Sequence, residues 1–214
     1  SIVLTGSLTV NSNGSLSSLS GPALETIEGS LQFNSNSGIE SISFASLTTL
    51  EGDFRFNYNH YVESISIPAL TELEGQLYVY NNERLESVIF TGLQEISSSV
   101  EVQYNYQLGE IDFSNLAVVN GSFQLYYMNE VEELNLPALE EVNGSFNVSN
   151  NSSMTSLSAP IFDDLSGSLT IRDNGDLTSI DLTSLTCVDD YTIVGNDMDD
   201  DDVRDLLLHI ISTC

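Results

Sequence analysis

Apolar residues return along this chain in pairs spaced one residue apart, and the pairs themselves return every 23 residues. With the small residue before the first pair taken as position one, the units open at Gly6, Gly29, Gly52, Gly75, Ser98, Gly121, Gly144 and Gly167. A degenerate ninth unit opens near Asp189, one residue early. Position three reads Leu8, Leu31, Phe54, Leu77, Val100, Phe123, Phe146 and Leu169; position five reads Val10, Phe33, Phe56, Val79, Val102, Leu125, Val148 and Ile171. Alternation of this kind predicts a short strand with one face buried. Positions 14 and 16 alternate again, as in Ile42 and Phe44, Ile65 and Ile67, Val88 and Phe90, so a second strand is expected where a helix would need another spacing. All four prolines (Pro22, Pro68, Pro137, Pro160) stand at position 17, just past that strand, where a missing N–H does least harm. Positions 19 and 22, such as Leu70 and Leu73, bring the chain inward once more.

A fixed period between about 20 and 50 residues marks a solenoid, in which each unit buries its apolar face only against its neighbours. The expected fold is all-β: a right-handed parallel β-helix of about nine 23-residue rungs, since parallel crossovers are nearly always right-handed. Rungs about 4.8 Å apart would make a rod roughly 43 Å long. Position eight is Asn13, Asn36, Asn59, Asn82, Asn105, Met128, Asn151 and Asn174. An asparagine recurring at the strand end can bond backbone groups of the bend and of the stacked neighbours. Residues 1–188 form the array and begin in mid-rung, because residues 1–5 align with positions 19–23 of a preceding unit. An open parallel edge is a template for pairing, so end-to-end assembly or a preceding domain is expected at the N-terminus. Residues 189–214 supply the last rung and a capping helix, in which Val203, Leu206, Leu207, Ile210 and Ile211 share one face after an aspartate run.

Charge narrows the partners. The chain has 32 acidic residues, four arginines and no lysine, for a net charge of -28. Nucleic acid and anionic membrane surfaces are therefore repelled. No apolar run approaches the roughly 20 residues that span a bilayer, so direct insertion into a membrane is not expected. No signal-peptide pattern opens the chain as given.

A leucine-rich-repeat horseshoe also carries apolar-x-apolar-x-x-Asn. Here, however, the next apolar residue follows three positions after the asparagine, and no helical stripe comes after it. The unit GSLTIRDNGDLTSIDLTSLTCV, residues 167–188, resembles instead the rungs of the receptor L-domain family, especially the fungal cell-wall GPI-anchored surface proteins. The match covers residues 6–188. It implies a right-handed β-helix, an extracellular or cell-surface location, and a non-catalytic role in binding or wall architecture. In such a compartment the two cysteines, Cys187 and Cys214, are expected to form one disulfide that fastens the lid. Six sequons, at Asn13, Asn120, Asn143, Asn147, Asn150 and Asn151, suit a secreted glycoprotein, although an Asn- and Ser-rich chain produces some by chance.

Three groups of side chains are candidates for chemistry. Asp197, Asp199, Asp200, Asp201 and Asp202 offer oxygen ligands for Ca2+, but lack the glycine and closing glutamate of an EF-hand. A solvated helix-capping cluster is the favoured explanation, and Ca2+ the weaker one. Arg55, His60 and Arg84 fall on adjacent rungs without aligned carboxylates, so neither a catalytic acid nor a base is assigned. The third group is aromatic. Every phenylalanine sits at an inward position, whereas Tyr58, Tyr61, Tyr78, Tyr80, Tyr104, Tyr106, Tyr126 and Tyr127 sit at positions 4, 6, 7, 9 or 10 of four consecutive rungs. Tyrosine joins apolar area to a polar tip, which suits protein or sugar recognition, although it is also a good exposed strand former. With Arg55 and Arg84 adjoining, this side is expected to bind a protein or glycan. A wall or filament element joined through the open end is the alternative; a polysaccharide-active enzyme and an ice-binding rod fit less well.

Overall fold

The structure is a computed structural model and describes residues 2–186, 188 and 190–211. The two cysteines of the expected disulfide, Cys187 and Cys214, lie outside these residues. The chain winds as a parallel β-solenoid of about eight turns, with a single C-terminal helix. One sheet holds nine strands, from Leu8–Asn11 through Leu77–Tyr80 to Tyr191–Val194. Its members pair in register with the residue one repeat away, as in Leu77 with Val100 and Val79 with Val102. The second set, from Ser18–Ser20 to Ser179–Asp181, is hydrogen-bonded in groups of two, three and three strands. A third sheet of eight strands runs from Ile2–Leu4 to Asp164–Leu165. Most of its members are two residues long, which is why positions 19 and 22 read from the sequence as an inward turn and not as a strand.

Three kinds of corner close each turn. At the first, position seven is left-handed, with φ between 51° and 71° from Ser12 through Gly195. The second is a tight turn, as where the Leu70 N–H donates to Ile67 O at 3.3 Å. Pro68 is the first central residue of that turn, where its fixed φ is pre-set. At the third corner, successive turns approach so closely that a Cβ on Gly75 would lie 2.4 Å from the carbonyl carbon of Gly52. The same corner carries a side-chain ladder: the Asp53 N–H donates to Ser30 Oγ at 3.0 Å, and the Gln76 N–H to Asp53 Oδ1 at 2.9 Å.

The interior is apolar and continuous. All nine phenylalanines are buried, and their rings form one chain of contacts from Phe44 through Phe33 to Phe162, with centroids 5.1–6.4 Å apart. The position-eight asparagines enter this interior as a polar column. Asn82 Oδ1 accepts from the Asn59 N–H at 2.9 Å, while its Nδ2 donates to Phe56 O and to Asn105 Oδ1, both at 3.0 Å. The pattern repeats down to Asn196, whose Oδ1 accepts from the Asn174 N–H at 3.2 Å. Buried backbone donors at the bend thereby find acceptors. Met128 interrupts the column, so the Asn105 N–H lacks the side-chain acceptor that each neighbouring rung provides.

The two ends differ from the middle. In the first turn Leu8, Leu16, Leu19 and Leu24 are only half-buried, whereas Leu31, Ile39 and Leu47 in the next are fully so. At the other end the helix Asp200–Ile211 lies over the last rung, with Ile210 fully buried and Leu206 packed against the core. Ile211, expected on the buried face, is 43% exposed. No helix among the described residues is long and apolar enough to cross a membrane.

Candidate functional site

In the nine-stranded sheet, inward positions three and five alternate with outward positions four and six. The outer rows therefore stack chemically different side chains in register. Position six begins as an amide ladder: Asn34 Nδ2 donates to Asn11 Oδ1 at 2.9 Å, and Asn57 Nδ2 to Asn34 Oδ1 at 3.0 Å. Tyr80 takes the next place. A phenol cannot continue the amide pairing, and Asn57 Oδ1 is left buried without a donor.

From that point the outer surface becomes aromatic. Tyr80 meets Tyr58, Tyr78 and Tyr104 at centroid distances of 5.3, 5.8 and 5.5 Å. Tyr104 in turn meets Tyr106 at 6.4 Å and stacks on Tyr127 at 4.7 Å with 12° between the planes. Six of the eight tyrosines picked out from the sequence thus form one connected cluster. Tyr61 is set apart at the corner, where the Arg84 guanidinium lies 4.8 Å from its ring centroid. Tyr126 faces outward, half-buried, one rung from Gln103.

Several of these rings sit where a tyrosine is costly. Tyr58, Tyr104 and Tyr127 occupy the left-handed corner position, with φ of 56°, 58° and 57°. A bulky L-residue there carries about 1–2 kcal/mol of steric strain, which glycine or asparagine largely avoids. Other rungs do use Asn81, Asn150 and Gly195 at this corner.

Four of the phenols have their ionisation pushed upward. Burial, then Glu101, pushes the Tyr126 hydroxyl up to about 12. Burial comes first for Tyr78 too, with Glu101 adding to it and Arg55 opposing, and burial followed by the ring of Tyr127 raises Tyr104. For Tyr58 the neighbouring Tyr80 hydroxyl is the leading cause. Uncharged phenols can both donate and accept, which suits uncharged polar ligands.

The cations are already engaged. Arg55 Nε is 3.0 Å from Asp53 Oδ2, its NH2 group donates to Gln76 Oε1 at 3.3 Å, and its guanidinium lies 5.7 Å from the Tyr78 centroid. Arg55 is therefore not a vacant anion site, while Arg84 is held through its contact with the Tyr61 ring. Carboxylates not anticipated from the sequence also stand here, with Glu83 3.5 Å from His60 Nδ1. Asp53 is taken up by Arg55 and Glu83, on a different rung, stands beside His60, so the two carboxylates do not converge as an acid and a base.

Below the cluster a groove of about 480 Å³ runs along the same face. Tyr104, Tyr126 and Tyr127 wall one side, and Gln103, Asn147, Asn150, Thr170, Arg172 and Thr192 line the remainder. The sequence marked Asn147 and Asn150 only as sequons and did not single out Gln103, Thr170, Arg172 or Thr192. These residues lie on five successive rungs and share no local motif, so only their common outward positions, four, six and seven, tie them together.

The aspartate run takes the helix-capping role favoured from the sequence. Asp199 caps the C-terminal helix, its Oδ1 accepting from the N–H groups of Asp201 and Asp202 at 3.0 and 2.8 Å. Asp201 is bonded to Arg204 at 2.6 Å. The Ca2+ cluster is therefore not assembled, and no group of three or more His, Cys, Asp or Glu side chains among the described residues converges on a metal-sized site. Among the sequons, Asn151 is fully buried in the asparagine column, its Nδ2 donating to Leu125 O at 3.3 Å and Asn174 Oδ1 at 3.2 Å. It cannot accept a glycan in the folded chain. Asn120 and Asn143 are exposed, and Asn13, Asn147 and Asn150 are half-exposed.

The chain matches no protein-family model, and no curated protein or solved structure is significantly similar to it.

Proposed function

We propose that the chain is an extracellular, non-catalytic recognition module of the receptor L-domain type, binding a protein or glycan partner through the tyrosine face. One observation carries this reading: the tyrosines stand where the fold is better served without them. Three occupy left-handed corners, and a fourth ends an amide ladder and strands Asn57 Oδ1. All rungs share the left-handed corner, but only these three place a bulky aromatic where the others have Ser, Asn, Asp or Gly, and strain accepted in this way points to a function for the rings. The resemblance of residues 6–188 to cell-surface L-domain rungs supports the location, and the charge of -28 suits a partner other than a polyanion.

Replacing Tyr80, Tyr104 and Tyr126 together by Ser tests the reading. None of the three contributes to the phenylalanine core, so the variant should keep its fold by circular dichroism. Binding to the native cell surface should weaken by at least about 2 kcal/mol, since interface energy concentrates in a few aromatic and arginine side chains. Unchanged binding by the triple variant, together with loss of binding on altering the proline-bearing side, would place the function elsewhere.

A further inference from the structure

We propose that the groove beside the tyrosine cluster binds a neutral oligosaccharide laid along the rod axis, an inference that rests on the recognition role above and names its ligand class. The shape comes first. The groove crosses five rungs, from Gln103 and Tyr104 to Thr192, and its lining falls into rows in strict register: Asn147, Thr170 and Thr192 at one outward position, and Gln103, Tyr126, Ser149 and Arg172 at the other. Rungs repeat about every 4.8 Å. That step is close to the advance of one pyranose unit in an extended chain, so each unit of a periodic ligand meets the same pair of outward positions, one rung further along.

The chemistry then selects among ligands. Amides and hydroxyls dominate the lining and offer donors and acceptors together, as sugar hydroxyls require. Stacking on Tyr104 at 4.7 Å fixes the exposed Tyr127 ring at the groove wall, where the C–H face of a pyranose can pack against it. The single cation, Arg172, has Asp173 Oδ2 at 3.2 Å from its Nε. Glu101 lies beside Tyr126 at the other end. With Arg172 offset and a carboxylate nearby, the groove has no surplus positive charge for a uronate or sulfate chain, and the whole molecule repels polyanions. A peptide is disfavoured for a different reason. Four of the five strands that floor the groove are paired on both sides, and the one free edge, on Tyr191–Val194 at the end of the sheet, would take an added strand across the rod axis and not along the groove.

Asn147 and Asn150 belong to sequons and also line the groove. A glycan attached to either would occupy it, so the test uses full-length chain made in a host that does not N-glycosylate. Cellohexaose, laminarihexaose, mannohexaose and N-acetylchitohexaose are titrated calorimetrically and by amide chemical-shift mapping, with hexagalacturonate as the acidic comparison. At least one neutral hexaose should bind saturably, with shifts centred on residues 147–150, 170–172 and 192. The double variant Thr170→Val with Thr192→Val, isosteric and outward-facing, should weaken it by roughly tenfold or more through two lost hydroxyl contacts while leaving thermal unfolding unchanged. Ile161→Ser, exposed on the proline-bearing side, should leave the affinity alone.

The proposal is overturned if no neutral hexaose binds, if shifts map elsewhere, or if hexagalacturonate binds better than all four. Should it fall while Tyr58→Ser with Tyr80→Ser still abolishes binding to the native cell surface, the recognition face stands and only its assignment to this groove is lost. If that pair of substitutions also has no effect, the recognition reading fails with it.

Discussion

The asparagine column makes the sharpest energetic prediction, because the chain contains its own broken rung at Met128. Substituting Asn82→Met repeats the break in the middle of the array. Asn82 is fully buried and makes four contacts: its Oδ1 accepts from the Asn59 N–H at 2.9 Å and from Asn59 Nδ2 at 3.4 Å, and its Nδ2 donates to Phe56 O and Asn105 Oδ1 at 3.0 Å. Not all of these losses are equal. Asn59 Nδ2 keeps Phe33 O at 2.9 Å and Asn57 O at 3.1 Å. Asn105 Oδ1 keeps the backbone N–H of residue 82 at 2.9 Å. The Asn59 N–H has no such reserve, and an orphaned buried donor costs about 1–3 kcal/mol. Loss of the donor to Phe56 O adds about 1 kcal/mol. Burying the apolar methionine returns up to about 2 kcal/mol, but forcing its longer side chain into an asparagine site costs about 1–3 kcal/mol. Taking the middle of each range and the full apolar return, the net is a destabilisation of about 3 kcal/mol. Denaturant unfolding followed by circular dichroism measures it, and amide hydrogen exchange should show the Asn59 N–H losing protection first. The reverse change, Met128→Asn, gains an acceptor for the Asn105 N–H and loses a buried apolar side chain, so it should fall within about 1 kcal/mol of the parent. An Asn82→Met variant as stable as the parent, with Asn59 still protected, would refute the idea that the column holds the bends together.

Other consequences are equally open to measurement. Tyr127→Asn should leave stability within about 1 kcal/mol of the parent, because relief of the left-handed strain offsets loss of the stack on Tyr104, while binding to the cell surface falls; a stability loss above about 2 kcal/mol would mean the ring is there for the fold. The Tyr126 hydroxyl, raised to about 12 against an unfolded value of about 10, favours the folded state fully below about pH 10, and that contribution is lost as pH rises through 10 toward 12. Ultraviolet titration should show a late phenol phase that loses one group in Tyr126→Phe, and the variant should lose less stability over the same interval. Gly75→Ala places a Cβ 2.4 Å from Gly52 backbone and should cost about 2 kcal/mol or more, which an unchanged melting temperature would contradict.

The repeat, its two longer strands and the division of aromatics were all legible in the sequence, because each follows from side-chain direction alone. In a strand, successive residues point to opposite faces. A 23-residue recurrence of Phe54, Leu77 and Val100 therefore had to line one interior, and Tyr78 and Tyr80, beside Leu77 and Val79, had to lie outside it. The helix after the aspartate run was legible for the same kind of reason, from a different period. Everything that depends on contacts between rungs had to wait for tertiary structure. The third sheet was hidden because a strand such as Glu72–Leu73 carries one inward residue and so no alternation. Left-handed geometry at position seven is imposed by the corner on Ser12, Tyr58, Asn81 and Asp173 alike, so no shared residue type announces it. Asn150 and Asn151 both open a sequon, yet one faces the groove and the other is sealed in the asparagine column; burial separates them, and burial is not a local property. The groove itself is the clearest case. Asn147, Thr170 and Thr192 lie about one repeat apart and become neighbours only when the rungs stack. The sequence by itself determined what each rung is, through the directions of its side chains; the stacking of rungs decided which of those side chains share a surface.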